Sequence, residues 1–209
     1  MTRSIMGMTL AALILLPIAK GQEAARPKDF DVSDGKIDKA AGDHLIVFSK
    51  EMRATLKSNG VQKVRVPFTY LGPTQQVSHL GNGEIRHQFG FKLEAQDICN
   101  LIYAMWNFDT QKIAVTVKLN PGQHTHEQCL DRGYINDIKP RVWAPSPIVR
   151  AGAPHVLSAE LEGQKLTVKT DDVIVWQGTL VPVVLKFKGP IGLRSDNARV
   201  VFDFLVGGR

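Results

Sequence analysis

The stretch from Asn120 to Cys129 reads NPGQHTHEQC, with His124 and His126 one residue apart, Glu127 next to them and Cys129 closing the run. Imidazole and carboxylate side chains are metal ligands, but a site needs three or four of them converging. On a strand the two histidines would project to one side and Glu127 to the other, and no further ligand lies close in the sequence. Pro121-Gly122 at the start favours a turn. The stretch therefore reads as a surface loop pinned at Cys129, with no metal assigned. A second group has more even spacing. Arg86, Gln88 and Lys92 fall at alternate positions opposite His87, Phe89, Phe91 and Leu93, so on a strand they share the polar face. Lys118 takes the same outward position in Lys112–Leu119. Guanidinium, amide and ammonium donors recognise carboxylates through charge-assisted hydrogen bonds, so these four are the candidate ligand-binding residues.

The elements that would position these residues show a period of two. His44–Phe48 is a short apolar strand, Lys63–Tyr70 alternates, and Glu84–Glu94 is a half-buried strand. Ile98–Phe108, apolar on both faces, suits a central strand, and Lys112–Leu119 alternates with Ile113, Val115 and Val117 inward. Pro140–Pro154 holds too many prolines and glycines for an element and reads as a long surface connection. Beyond it come Val156–Leu161, a turn at Glu162-Gly163, Lys165–Lys169, a turn at Asp171-Asp172, and Val173–Trp176. Pro190–Arg194, a turn through Asn197, and Arg199–Val206 follow. Lys50–Ser58 is the single helical interval, and residues 22–42, rich in Ala, Lys, Asp and Gly, read as a flexible leader to one domain at 43–209.

Arg3, the apolar run Met6–Ile18 and Ala19-Lys20-Gly21 have the layout of a secretory signal over residues 1–21. The run has 13 residues and contains Pro17, whereas a spanning helix needs about 20. The expected product is secreted or periplasmic and not an integral membrane protein. Cleavage removes Arg3 and Lys20 and no acid, lowering the net charge from +6 to +4. With no run of Lys or Arg, this excludes a nucleic-acid footprint and leaves a glycan or cell-envelope polymer as the expected partner. Cys99 and Cys129 are the only cysteines, and in an exported chain they are expected to form a disulfide.

The C-terminal segments HVLSAELEGQKLTVKTDDVIVWQG and GPIGLRSDNARVVFDFLV, within Pro154–Val206, resemble the ending of concanavalin A-like lectin/glucanase domains, an ending shared by laminin-G-like and bacterial 3-keto-disaccharide hydrolase domains. The resemblance implies an all-β jelly-roll β-sandwich of two antiparallel sheets. It implies no cofactor except calcium at a rim, for which Asp171, Asp172, Asp196 and Asn197 are the oxygen donors. The Glu-x-Asp-x-x-Glu strand of retaining glycosidases in this fold is absent. Jelly-roll polysaccharide lyases neutralise a uronate with Arg and Gln and move protons with His or Tyr; Arg86, Gln88, His124, Tyr103 and Tyr134 are this chain's candidates for those catalytic roles. Lectins stack sugars on exposed aromatic rings, a role for which Trp143, in the proline-rich connection, is the candidate. The expected function is non-catalytic binding of a glycan or cell-envelope polysaccharide. The alternatives are a lyase, or another glycan-active enzyme, on acidic polysaccharide and a structural module with no small ligand.

Overall fold

Residues 22–207 are described by a computed structural model, and the signal segment at 1–21 lies outside them. The alternating segments pair into two antiparallel sheets. The seven-stranded sheet runs from edge to edge as Tyr134–Ile135, Lys112–Lys118, Leu101–Asn107, Gln88–Leu93, Gly192–Asp196, Glu51–Leu56 and Phe30–Asp34. The ten-stranded sheet runs Val142–Trp143, Val173–Thr179, Lys165–Thr170, Pro154–Glu162, Lys63–Pro73, Ala198–Phe202, Leu45–Val47 and Asp38–Lys39. Leu205–Gly207 also pairs with Lys63–Pro73, and Gln22–Ala24 pairs with Leu205–Gly207.

The inward alternates of the two sheets interdigitate to form one core. Met52, Ala54, Phe89, Phe91, Ile102, Trp106 and Val117 face Val64, Val66, Phe68, Leu157, Val168, Val200 and Phe202, all buried. Phe68 sits at its centre, 5.3 Å from Phe89 and edge-on to Trp106 at 5.6 Å; such aromatic pairs add about 0.5–1.5 kcal/mol each beyond area burial. The chain order and the two facing sheets are those of a jelly-roll sandwich, as the C-terminal resemblance implies. The turn at Asp171-Asp172 has both residues at positive φ, 49° and 66°, the geometry of a tight two-residue hairpin. Gly192 is required by close packing: an added Cβ would lie 2.0 Å from the Ala54 carbonyl oxygen.

Three expectations are corrected. Residues 22–42 are not a leader; they supply Gln22–Ala24, Phe30–Asp34 and Asp38–Lys39, and Phe30 and Ile37 are buried in the core. Their apolar anchors are single residues among polar ones, and so leave no periodic signal. Lys50–Ser58 is not helical: Glu51–Leu56 is a strand between Phe30–Asp34 and Gly192–Asp196. Its Glu, Met, Arg, Ala and Leu favour helix intrinsically, but burial of Met52, Ala54 and Leu56 at alternate positions outweighs that weak preference. The strand at Gln88–Leu93 is buried on both faces, not on one.

Candidate functional site

The outward face of the seven-stranded sheet gathers the charged alternates of five strands. Strand register places Arg194 opposite Arg53 on one side and Gly90 on the other. One row along, Lys92 lies between Gly192 and Tyr103; beyond that, Lys118 pairs with Leu101 and Tyr134. Four cations thus share a face with two phenols. The Arg194 guanidinium lies 5.2 Å from the centre of the Tyr103 ring, and the Lys118 ammonium lies 5.2 Å from that of Tyr134. Acids hold one end of the face. Asp196 accepts from Arg194 Nε at 2.7 Å and from Gln88 Nε2 at 2.6 Å, while Arg53 pairs with Glu51 and Asp34.

Lys92 differs from the other cations. It is 5 % exposed, and among the described residues it has no ion-pair partner. Burial, reinforced by Arg53 and Arg194, pushes its ammonium down to about 8. Burial also lowers Lys118, with Asp131 opposing it, and Lys118 donates to the Leu130 carbonyl at 2.8 Å. Burial, with Tyr103 adding to it, pushes Tyr134 up to about 12. For Arg194 burial is the largest influence and acts downward, but Asp196, Tyr103 and Tyr134 together outweigh it and hold the guanidinium above its ordinary value.

An outward sheet face is this buried because an arm lies across it. Residues 78–86 leave and rejoin the rim at Asn197, whose side-chain amide donates to the Ser78 carbonyl at 2.8 Å and the Arg86 carbonyl at 3.0 Å, while its oxygen accepts from Ser78 N–H at 2.7 Å. Ser78 Oγ also bonds Glu51. The arm folds back on itself, Leu80 N–H donating to Glu84 O at 2.9 Å. Its tip meets the loop from the opposite side: an added Cβ on Gly81 would lie 2.1 Å from Asp131 Oδ2. Feet by Glu51 and a tip by Asp131, next to the Lys118 end, put the arm over the strands between them.

The structure therefore brings Gln88, Lys92, Lys118, Tyr103 and Tyr134 onto one face, carries Arg86 in the arm beside it, within electrostatic reach of Arg194 and Asp196, and separates the other candidates from them. Arg86 is in the returning limb of the arm, paired with Glu84 at 2.5 Å. His124 lies outside the face, bonded to Asp97 at 2.7 Å and 60 % exposed. The NPGQHTHEQC stretch is a loop ending in the short helix His126–Cys129, and Cys129 is bonded to Cys99. Trp143 belongs to the far edge strand of the ten-stranded sheet, 51 % exposed, and cannot act with the cationic face. Asp171 and Asp172 engage His155 and Arg65 at a hairpin turn of the ten-stranded sheet, away from Asp196 and Asn197, so the four oxygen donors do not converge. Among the described residues no three His, Cys, Asp or Glu side chains group as metal ligands. Sequence reasoning missed Arg53 and Arg194. The signal was present in Glu51/Arg53/Thr55 alternating with Met52/Ala54/Leu56, and in Arg194/Asp196 alternating with Leu193/Ser195.

The fold is a jelly-roll β-sandwich of two antiparallel sheets, here with a covered cationic sheet face. No family model matches the chain, and no curated protein matches its sequence. Among solved structures it is similar to the carbohydrate-binding module CBM66 from Bacillus subtilis, at 14% identity and a TM-score of 0.57 over 83% of this chain and 91% of that one. It is also similar to a putative glycosyl hydrolase from Parabacteroides distasonis, at 13% identity and a TM-score of 0.52 over 87% and 94%. The carbohydrate recognition domain of Emp46p matches at 11% identity and a TM-score of 0.53 over 86% and 88%. At these identities the likeness is one of fold.

Proposed function

We propose that this chain is an exported, non-catalytic module that binds an acidic glycan on the outward face of its seven-stranded sheet. The observation that carries the reading is the convergence there of Arg53, Lys92, Arg194 and Lys118, with Lys92 lacking an anionic partner among the described residues. A carboxylated sugar supplies the missing charge, and Tyr103 and Tyr134 supply ring surface beside it. Export is supported by the signal-like residues 1–21 and by the Cys99–Cys129 disulfide. Ligand entry requires the 78–86 arm to lift, so the apparent affinity is the intrinsic one reduced by the open fraction. Binding is favoured over a lyase because His124 stands off the face, and because a general base works best with a pKa near the working pH, whereas the Tyr134 phenol is pushed up to about 12.

The test is retention on arrays of uronate-rich and neutral glycans at low and moderate salt, with ultraviolet absorbance followed for unsaturated uronate products. Acidic glycans should be retained, less so as salt rises, without new absorbance, and Trp143→Ala should bind like wild type. Rising absorbance would replace this reading with a lyase. Absence of retention on every glycan would leave a structural module.

A further inference from the structure

A groove of about 450 Å³ opens on the sandwich rim, lined by Phe48, Ser49, Lys50, Thr74, Gln75, Gln76 and Arg199. It lies on the other side of the Asn197 turn from the arm, and its volume is within the range of small-ligand sites. Its chemistry is one-sided: two cations, four amide or hydroxyl side chains and no carboxylate line it. Phe48, 54 % exposed, leaves much of its ring in water beside them.

The walls are held in place. The Ser49 hydroxyl accepts from Lys36 N–H at 3.1 Å, and Thr74 Oγ1 donates to Gln76 O at 2.6 Å. Asn197 N–H donates to Lys50 O at 2.7 Å, and its own carbonyl accepts from Thr74 N–H at 3.2 Å. Arg199 is oriented by donation from Nη2 to Leu71 O at 2.8 Å, beside Gly72, where an added Cβ would come within 3.1 Å of that nitrogen. Its Nε is buried and has no partner among the described residues. A pre-formed wall lowers the ordering cost of binding.

We propose that this groove is a second ligand site that takes one carboxylated sugar residue: the carboxylate on Lys50 and Arg199, the C–H face of the ring on Phe48, and the hydroxyls on Gln75, Gln76 and Thr74. The inference is independent of binding at the sheet face. An exposed ring alone would suit any apolar group and two cations alone any anion; a uronic acid has both features on one ring.

The experiment uses glucuronic acid and glucose as probes and follows backbone amide shifts of isotopically labelled protein. Glucuronic acid should shift the amides of residues 48–50 and 74–76, with glucose giving a weaker response. Phe48→Ala should weaken binding roughly tenfold, the order of one stacking contact, and Phe48→Tyr should restore it. Lys50→Gln should remove the preference for glucuronic acid over glucose, and Lys92→Met should leave these shifts unchanged. Shifts confined to residues 88–92 and abolished by Lys92→Met would overturn this site while leaving the sheet-face reading intact. Unaltered binding in Phe48→Ala, or no shift at any probe concentration, would overturn it as well.

Discussion

Replacing Lys92 by Met should make this protein more stable and a poorer binder. Lys92 lies on a covered face between Gly192 and Tyr103, with Arg53 and Arg194 as charged neighbours, and its ammonium is pushed from 10.5 down to about 8. That difference corresponds to roughly 3 kcal/mol against the charged form in the fold. Below pH 8 both folded and unfolded chains carry the proton, and the full penalty is present. Between about 8 and 10.5 the unfolded chain holds more protons than the folded one, so stability rises with pH. Lys118, also lowered, acts in the same sense, while Tyr134, raised, works against it above pH 10, which leaves pH 8–10 as the informative window. At pH 7 Lys92→Met should raise the melting temperature by roughly 6–12 °C, at 2–4 °C per kcal/mol for a chain of this size, and lose most of the rise seen in wild type between pH 8 and 10. Retention of acidic glycan should fall by about tenfold or more, the loss of one charged hydrogen bond. Thermal melts across pH 6–10 and affinity chromatography measure both. A variant no more stable than wild type at pH 7, or a wild type whose stability is flat from pH 8 to 10, would refute the reasoning.

Two further perturbations bear on the frame of the site. Native protein should show no free thiol at Cys99 or Cys129, and replacing both by Ala should cost roughly 3–4 kcal/mol, given the sequence separation of 30; denaturant midpoints measure the loss, and an unchanged midpoint would count against the entropic account. Asn197→Gly keeps a residue that tolerates φ 54° but removes the side chain that holds both feet of the arm. Amide hydrogen exchange should accelerate selectively over residues 78–86, with stability lower by roughly 1–3 kcal/mol. Exchange unchanged there would mean that the arm is held by other contacts.

Much of the sandwich was legible because the alternation of side chains is a local property. Phe89, Phe91 and Leu93 opposite Gln88, Gly90 and Lys92, the two-sided apolar run around Leu101–Asn107, and the hairpins after Pro154 each announce a strand and its faces within a few residues. Pairing of the two cysteines followed in the same way from their number and the signal-like leader. Other features depended on contacts between distant segments. Glu51–Leu56 is a strand only because Phe30–Asp34 and Gly192–Asp196 flank it, and Gln22–Ala24 is a strand only against Leu205–Gly207 at the other end of the described chain. By itself, then, the sequence determined which residues face in and out on most strands, and that the chain is a β-sandwich. Only the tertiary structure decided that Arg53, Lys92 and Arg194 share one face, that Trp143 stands apart from it, and that an arm clasped by Asn197 and carrying Arg86 covers it. The reason is physical. Periodicity records the face of a strand, but neighbours and covering loops are set by long-range register and loop closure, which no local run of residues encodes.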